Sequence, residues 1–371
     1  MSSFGYGTRT AGATGGTTNE NKIPAIDVDG APDDTITRLR FTPGGCGFTL
    51  LGAASWDHTC RVWEVGSTNG GVQHRPVAMQ RHSAPLLDLS FSPDGRCYFG
   101  GCCKTAMEWD VRTNQTRQVA QHDLPVSCVG FDLTNGLVIT ASWDGKVKFW
   151  DLRQPSPAKI DDLKSPVVAM DVRTTPMVSV ACARKIFIFD MRTAARLDLE
   201  PHNMLKFQIR CIANISDSSG VLHGSAEGRL ASVPVDPNNK ALACCFKAHA
   251  LEKVPKHFIM YPCNFCASHP QKPGAAFSAG SDGYFRVWSM GRRCRTHEFT
   301  VKQFRSEGLG IPALSSSTAA EPIPVSAGDI SADGSLIALG SSYDWSMGKS
   351  GLNPLMPRSI SLVQVQSAWL P

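Results

Sequence analysis

The apolar positions of the chain fall in short runs that are separated by polar turns. Within one run Val147 and Phe149 alternate with Lys146 and Lys148, so that the apolar side chains point to one side of a strand and the lysines to the other. Asp-Gly dipeptides stand between such runs, at 94–95, 144–145, 282–283 and 333–334. Asp-Gly suits a two-residue hairpin turn, where positive φ is needed. The pattern predicts short antiparallel strands joined by tight turns.

One motif is repeated along the chain. Its strongest copies carry Ser-Trp-Asp or Ser-Asp-Gly a few residues before a tryptophan. They lie at 54–65, 141–152 and 279–289, and weaker copies lie at 104–110, 181–190 and 224–229. The anchors Trp63, Trp109, Trp150 and Phe189 are spaced by roughly 40 to 45 residues, the period of a four-stranded propeller blade.

Counting the anchors predicts an all-β fold, a seven-bladed β-propeller over residues 23–371. A closed ring of blades buries sheet faces that a lone blade would expose. The segment 26–28 is expected to add the outer strand that closes the last blade, and the Gly/Thr/Ser-rich residues 1–22 are expected to be a disordered tail. The predicted units are near 33–65, 82–111, 122–152, 165–191, 207–235, 257–290 and 323–366.

Composition narrows the class of protein. Of 371 residues, 42% are hydrophobic and 19% are charged, which supplies a core and argues against general disorder. The net charge of +5 is small, so nucleic-acid binding would need a local concentration of basic residues. No apolar run reaches the roughly 20 residues that span a bilayer, so we expect no membrane insertion. Thirteen cysteines without a secretory signal favour a reduced nuclear or cytoplasmic compartment.

The repeated motif resembles that of the WD-repeat family, over about residues 23–366. In that family a His, a Ser, an Asp and a Trp of one blade form a buried hydrogen-bond network. His122, Ser142, Asp144 and Trp150 match it, so this Ser/His/Asp set is interpreted as structural rather than as a catalytic triad. In the preceding repeat His82 is present but Lys104 stands in the turn, which predicts an incomplete network.

Other signals of catalysis or cofactor binding are weak. Gly348-Lys349-Ser350 imitates the end of a phosphate-binding loop, but Tyr343 stands where the first glycine is required. Cys263 and Cys266 form one CxxC without a second pair at zinc spacing, so core cysteines are the expected explanation. We therefore predict no enzyme activity, no cofactor and no metal.

Further motifs point to one branch of the WD-repeat family. A Phe-Gly-containing tail at 4–7 precedes 32–36, and Gly-Ser-Ala-Glu-Gly-Arg stands at 224–229. Ser-His-Pro at 268–270 and Ser-Ser-Tyr-Asp-Trp-Ser at 341–346 follow in order. Together they resemble the WD-repeat mRNA export factors of the nuclear pore. The mitotic-checkpoint WD-repeat proteins share the Glu-Gly-Arg turn, and the tail favours the export factors.

The resemblance implies a docking protein whose propeller face grips a helical-hairpin segment of a Gly-Leu-Phe-Gly nucleoporin. Arg229, in its turn with Glu227, matches the family arginine that pairs with acidic residues of that segment. A planar guanidinium suits bidentate capture of a carboxylate. Trp56 and Trp143 occupy blade turns, where they are candidate anchors; the alternative is that they pack on neighbouring blades.

A second candidate surface comes from local basicity. Residues 291–305 hold five basic side chains and one acidic one. The resemblance to the export factors implies that this side of the ring contacts RNA. Basic residues for phosphates and an aromatic ring for base stacking would form a single-strand platform; the alternative is an ordinary solvated hairpin loop. The candidate RNA-binding residues are Phe246, Lys247, Trp288, Arg292, Arg293, Arg295 and Lys302.

These observations predict an adaptor at the nuclear pore complex of the nuclear envelope, with some cytoplasmic protein, that holds a nucleoporin and contacts single-stranded RNA or mRNP. We expect a monomeric subunit of a hetero-complex. The first alternative is a spindle-checkpoint scaffold that binds checkpoint kinases and other mitotic checkpoint proteins. A propeller hydrolase and a ubiquitin-ligase substrate receptor are further alternatives. The segments 236–256 and 300–322 are insertions without an assigned role.

Overall fold

The computed structural model describes residues 23–68, 71–172, 176–202, 204–254, 257–304, 321–353 and 356–371. It contains seven four-stranded antiparallel sheets, which confirms the predicted seven-bladed β-propeller. Strands are numbered β1 to β32 in chain order. The expected disordered tail, 1–22, lies outside the described residues.

The ring is closed by the first strand of the chain. Strand β1 (Ala25–Asp27) pairs antiparallel with β32 (Ser359–Gln364), so the N-terminal segment becomes the outer strand of the last blade. The other two strands of blade 7 are β30 (Val325–Ile330) and β31 (Leu336–Ser341). This pairing confirms the role predicted for 26–28 and joins the two ends of the sheet ring by hydrogen bonds.

Blades 1 to 6 each use four strands in hairpin order from the centre outwards. Blade 1 is β2 (Ile36–Phe41), β3 (Leu50–Ser55), β4 (Thr59–Thr68) and β5 (Gly71–Arg81). Blade 2 is β6 (Leu86–Phe91), β7 (Cys97–Gly101), β8 (Thr105–Asp110) and β9 (Gln115–Gln121). Blade 3 is β10 (Val126–Asp132), β11 (Leu137–Ser142), β12 (Lys146–Trp150) and β13 (Lys159–Asp162).

Blades 4 to 6 continue the pattern. Blade 4 is β14 (Val167–Asp171), β15 (Met177–Cys182), β16 (Ile186–Asp190) and β17 (Ala195–Leu199). Blade 5 is β18 (Ile209–Asn214), β19 (Gly220–Ser225), β20 (Arg229–Pro234) and β21 (Cys244–Lys247), and blade 6 is β24 (Cys263–His269), β25 (Lys272–Gly280), β26 (Tyr284–Ser289) and β27 (Cys294–Thr300).

Two small hairpins stand outside the blades, β22 (Ala250–Val254) with β23 (His257–Met260), and β28 (Gln303–Phe304) with β29 (Glu321–Pro322). Short 3₁₀ turns cover Gly348–Gly351 and Ser367–Trp369. Among the described residues no helix has the length and apolar character to cross a bilayer.

The predicted blade boundaries are wrong at the outer strand. The predicted units stop near the anchor residue of the third strand, whereas a fourth strand follows in each of blades 1 to 6. Strand β13 shows why, because its side chains are mostly exposed and carry no apolar signature. For the same reason part of the supposed insertion 236–256 is the outer strand of blade 5, and blade 6 begins at Cys263 rather than at 257.

The core lies between neighbouring blades. The anchors Trp63 and Trp109 are 2% and 0% exposed, and Leu39 packs with Trp63 and Leu362 across the junction of blades 1 and 7. Burying a large apolar side chain contributes about 1.5 to 3 kcal/mol. Each blade is therefore stabilised mainly by its neighbours, which keeps the ring rigid.

The strand order defines two faces of the ring. In an antiparallel blade the turn from the second to the third strand lies at the same end as the loop from the fourth strand to the next blade. We call this end the BC face; its turns are 56–58, 102–104, 143–145, 183–185, 226–228, 281–283 and the loop 342–353. The opposite end is the CD face; its third-to-fourth-strand turns include 111–114, 151–158, 191–194, 235–243 and 290–293.

Candidate docking and RNA-binding surfaces

Two tryptophans project from turns of the BC face. Trp56 and Trp143 are 39% and 41% exposed. Each turn is held by the serine before the tryptophan, since Ser55 Oγ accepts the backbone N–H of Asp57 at 3.2 Å and Ser142 Oγ accepts that of Asp144 at 3.0 Å. The rings therefore stand on rigid turns and keep a large part of their surface in solvent, as anchors for a partner would.

Arg229 and Glu227 flank the blade 5 turn on the same face. Gly228 between them has φ +70°, so the turn brings both side chains to one edge. The Arg229 Nε lies 3.7 Å from Glu227 Oε2, too far for a strong hydrogen bond, and the side chains are 18% and 12% exposed. Within the described part of the chain, that Nε is buried and has no hydrogen-bond partner. Nε faces Glu227 inside the protein, so an incoming acceptor would have to bind the remaining, partly exposed part of the Arg229 side chain.

Glu227 also fixes the neighbouring loop. Its Oε1 accepts the backbone N–H of Lys206 at 2.8 Å. Beside it Phe207 is 61% exposed, and elsewhere on the BC face Trp345 is 45% exposed with its indole N–H on Thr35 Oγ1. Sequence reasoning missed Phe207 and Trp345 as surface anchors. Phe207 lies in a loop outside the repeated motif, whereas the Tyr-Asp-Trp of the last repeat was a usable signal for Trp345.

The buried network of blade 3 is present, with one correction. Trp150 donates its indole N–H to Thr140 Oγ1 at 2.8 Å, and Thr140 Oγ1 lies 2.8 Å from His122 Nε2. His122 Nδ1 lies 3.0 Å from Asp144 Oδ2. The hydroxyl that links His to Trp belongs to Thr140, and the predicted Ser142 instead caps the turn, because it lies two residues further along the strand.

Electrostatics agree with a structural role for this network. Burial lowers the pKa of His122 and opposes the raising effect of the Asp144 carboxylate. Burial raises the pKa of Asp144, but the backbone N–H groups of Lys146 and Asp123 and the His122 ring outweigh it, and the net pKa is lowered. Both ring nitrogens of His122 are occupied within the blade, so the set is internally satisfied.

Blade 6 carries a second complete network. Trp288 donates to Ser278 Oγ at 2.9 Å, Ser278 Oγ lies 3.0 Å from His249 Nε2, and His249 Nδ1 lies 2.8 Å from Asp282 Oδ1. Sequence reasoning missed His249. The hairpin β22–β23 lies between His249 and its blade, which lengthens the spacing to Asp282 from the 22 residues seen in blade 3 to 33.

The placement of Trp288 corrects one sequence expectation. Trp288 is 4% exposed, and Phe246 stacks on it with ring centroids 5.0 Å apart. Its ring is therefore a core element rather than an open platform for a base, because the anchor tryptophan of a blade is required by the network. Phe246 is the partly exposed ring at this position.

The candidate basic residues do not form one cluster. Arg292 and Arg293 lie in the turn of the CD face, whereas Lys302 follows the other end of β27, a strand about 20 Å long. Lys302 forms an ion pair with Asp27 of blade 7, and Arg295 shares Glu298 with Arg286. These residues are close in the sequence, but strand β27 places Lys302 at the opposite end of blade 6 from Arg292 and Arg293.

Both arginines of the blade 6 turn on the CD face lack a carboxylate partner among the described residues. Arg293 donates to the carbonyl oxygen of Ala241 at 2.9 Å, and Arg292 is exposed. In the described ranges neither forms an ion pair with an acidic side chain. This turn therefore keeps two positive charges available for phosphates.

Lys247 lies away from that turn. It is exposed on β21, with its Nζ 4.2 Å from the ring centroid of Phe258 in the neighbouring hairpin. Phe258, Leu251 and Ile259 are themselves exposed. The structure thus places Lys247 beside an apolar hairpin at the BC face.

The remaining sequence motifs lie where packing explains them. Cys263 and Cys266 are 0% and 3% exposed on β24, as core cysteines. Over the residues that the structure describes, no group of three or more His, Cys, Asp or Glu side chains could hold a metal ion. Gly348–Gly351 is a short 3₁₀ turn in the BC-face loop of blade 7.

Comparison with known proteins agrees with this architecture. A family model described as WD domain, G-beta repeat, matches residues 26–64 and 113–151. The solved structure of U3-55K has a TM-score of 0.71 at 17% identity, covering 94% of this chain and 100% of that one, which shows a shared fold.

Relatives that match nearly the whole chain identify the family, whereas the structural match shows only the fold. The chain is 32% identical over 369 residues to the poly(A)+ RNA export protein of Schizosaccharomyces pombe, covering 98% of this chain and 96% of the relative. It is 31% identical over 356 residues to Protein Rae1 of Drosophila melanogaster, covering 94% and 96%. It is 33% identical over 363 residues to the mRNA export factor of Xenopus tropicalis, covering 95% and 92%. The chain therefore belongs to the WD-repeat family of mRNA export factors.

Proposed function

We propose that this protein is a non-enzymatic adaptor in mRNA export, resident at the nuclear pore complex, that docks a segment of a Gly-Leu-Phe-Gly nucleoporin on its BC face and contacts single-stranded RNA or mRNP through its CD face. The names of its full-length relatives support the role in mRNA export. The satisfied hydrogen-bond networks of blades 3 and 6 support a scaffold rather than a catalyst.

The docking proposal depends mainly on Arg229. The Arg229 side chain is 18% exposed, so its guanidinium has already lost much of its hydration, and among the described residues Glu227 lies 3.7 Å away, too far for a strong hydrogen bond. A carboxylate from a bound segment would supply a charge-assisted hydrogen bond in a site of reduced dielectric. Trp56 and Trp143 would add apolar contact area on the same face, as tryptophan anchors do in other interfaces.

The proposed RNA-binding surface includes fewer residues than the sequence analysis predicted. Arg292 and Arg293 are the principal phosphate contacts, because they are exposed and unpaired by carboxylates in the described ranges. Arg295 is a lesser one, since it shares Glu298 with Arg286. The binding is expected to be weak and sensitive to salt, since contacts to phosphates release counterions.

The two proposed surfaces lie on opposite ends of a rigid ring. No conformational change is needed for both partners to be held at once. Binding to the nucleoporin would keep the protein at the nuclear envelope, and the CD face would contact the single-stranded RNA or mRNP.

Affinity purification of the tagged full chain, followed by mass spectrometry, tests the choice of partner. The proposal predicts recovery of a Gly-Leu-Phe-Gly nucleoporin. Recovery of spindle-checkpoint kinases without any nucleoporin would favour the alternative scaffold and reject the assignment.

Titration of a single-stranded RNA over a range of salt concentrations tests the second surface. Arg292→Glu with Arg293→Glu should weaken binding and reduce the slope of log affinity against log salt by about 1.4, or 0.7 for each lost phosphate contact. The matched control is Arg153→Glu with Arg192→Glu, exposed arginines in the corresponding turns of blades 3 and 4. Equal binding by the two double variants would reject this surface.

A further inference from the structure

The turn of blade 2 carries a cysteine where the turns of blades 1, 3 and 6 carry an aspartate. Cys103 occupies the place that Asp144 has in blade 3, because the backbones of the two turns make the same bonds. Lys104 N–H donates to Gly101 O as Gly145 N–H donates to Ser142 O. Cys102 N–H donates to Pro85 O as Trp143 N–H donates to Pro125 O.

The surroundings of Cys103 are those of an anion site. Its Sγ lies 3.5 Å from His82 Nε2 and accepts the Thr105 hydroxyl at 3.1 Å. In blade 1 Thr59 donates its hydroxyl to the Asp57 carboxylate in the corresponding position. The pocket that holds a carboxylate elsewhere in the ring therefore holds a thiol here.

The tautomer of His82 can be assigned from its other nitrogen. The backbone N–H of Ser83 points at His82 Nδ1 at 2.6 Å, and an N–H can only donate. Nδ1 is therefore the acceptor, and the proton of the neutral ring is on Nε2, which faces the sulfur. A donor aimed at sulfur stabilises the thiolate over the thiol.

Cys103 differs from the other cysteines in combining this pocket with access to solvent. It is partly exposed on the BC face, whereas eight cysteines are buried. Burial raises the pKa of the Cys103 thiol, but the bonds from His82 and Thr105 outweigh it and lower that pKa to about 7. Burial raises the pKa of Cys128 to about 12 and that of Cys182 to about 11, which keeps those thiols protonated.

We propose that Cys103 is a reactive nucleophilic thiol, a modification site for hydroperoxides and soft carbon electrophiles, activated by His82. With hydrogen peroxide, the thiolate sulfur attacks one oxygen, an S–O bond forms and the O–O bond breaks. Hydroxide leaves and is protonated to water, the sulfur is oxidised to sulfenic acid and the peroxide is reduced. With iodoacetamide, an S–C bond forms and iodide leaves.

Alkylation of the full chain at pH 7 tests this proposal, with iodoacetamide as the probe and peptide mapping by mass spectrometry as the readout. Cys294, the exposed cysteine on β27, is the internal reference. Cys103 should react about five- to tenfold faster, as expected for a thiol with pKa near the ambient pH. His82→Asn should slow the reaction at Cys103 and leave the rate at Cys294 unchanged.

Two further measurements keep the test independent of folding. Cys103→Asp restores the aspartate of the sister turns, so this variant should fold and should show no fast-reacting site. Wild-type protein treated with hydrogen peroxide and then dimedone should carry the adduct on Cys103. Equal alkylation of Cys103 and Cys294, or a dimedone adduct on Cys294 but not on Cys103, would overturn the proposal.

Discussion

Lys247 lies directly across from Arg229, since the two residues pair between the neighbouring strands β21 and β20. One residue was a candidate for RNA and the other for a nucleoporin, yet they form one positively charged corner of the BC face. The exposed ring of Phe258 packs on the Lys247 ammonium group at 4.2 Å. This corner therefore offers an acidic, partly apolar segment both charge and contact area.

Lys247 should accordingly contribute to docking. Lys247→Glu is expected to weaken binding of the nucleoporin segment about fivefold, which corresponds to about 1 kcal/mol, because it reverses a charge at the edge of the surface. Isothermal calorimetry measures the change. Lys240→Glu, an exposed lysine in the CD-face loop of the same blade, is the control and should bind as wild type does. Equal affinities for the two variants would show that Lys247 does not contribute to the docking surface.

The hydroxyl of Thr140 should be important for stability. Thr140→Val removes the oxygen that accepts the Trp150 N–H and bonds His122, and leaves both polar groups buried without a partner. Each orphaned group costs about 1 to 3 kcal/mol, so the free energy of unfolding should fall by roughly 2 to 6 kcal/mol. Urea denaturation followed by tryptophan fluorescence measures it. Thr116→Val on exposed β9 should change little, and a loss of similar size there would refute the role of the network.

The turn between Glu227 and Arg229 requires glycine for two reasons. Gly228 has φ +70°, and a Cβ there would collide with the carbonyl oxygens of His249 and Tyr261. Gly228→Ala should therefore lower the melting temperature and reduce docking together. Gly45→Ala separates the causes, because Gly45 also has positive φ, +86°, but has open space around it. A smaller loss at Gly45 is expected, and equal losses would show that the collision is unimportant.

Acid should destabilise the ring through His223. Burial lowers the pKa of this fully buried imidazole to about 4, with a further lowering from the charge of His202. The unfolded chain, with a pKa of about 6.5, binds the proton first, so stability is lost as the pH falls from about 6.5 towards 4. From pH 7 to pH 5 the loss is about 2 kcal/mol from this residue.

Urea denaturation of wild type and His223→Leu at pH 7 and pH 5 checks this contribution. The variant should lose about 2 kcal/mol less than wild type between the two pH values. An identical loss in both proteins would show that protonation of His223 does not contribute.

Much of the fold could be predicted from the sequence, because the anchors Trp63, Trp109 and Trp150 mark the third strands of blades 1 to 3, their spacing gives the repeat, and the core must form between blades. The closing strand was predictable for the same reason, since an open edge needs a partner. The outer strands were not recognised as part of the units, because exposed strands such as β13 have no apolar pattern.

The surfaces were predicted less well, and the reason is geometric. Arg295 and Lys302 are close in sequence, but an extended strand carries them to opposite ends of blade 6. Lys247 and Arg229 are distant in sequence, but strand pairing brings them together. The exposure of Trp56 and Trp143 and the burial of Trp288 follow from turn and network positions, which the repeated motif already encodes.

The central claim is that the Arg229 corner of the BC face binds an acidic nucleoporin segment. Calorimetric titration of that segment into Arg229→Glu, with Arg153→Glu on the CD face as the control, tests it most directly. Loss of one partner of a half-buried charge pair costs about 2 to 5 kcal/mol, so affinity should fall by at least about 30-fold while the control binds as wild type. Unchanged affinity in a correctly folded Arg229→Glu protein would contradict the account.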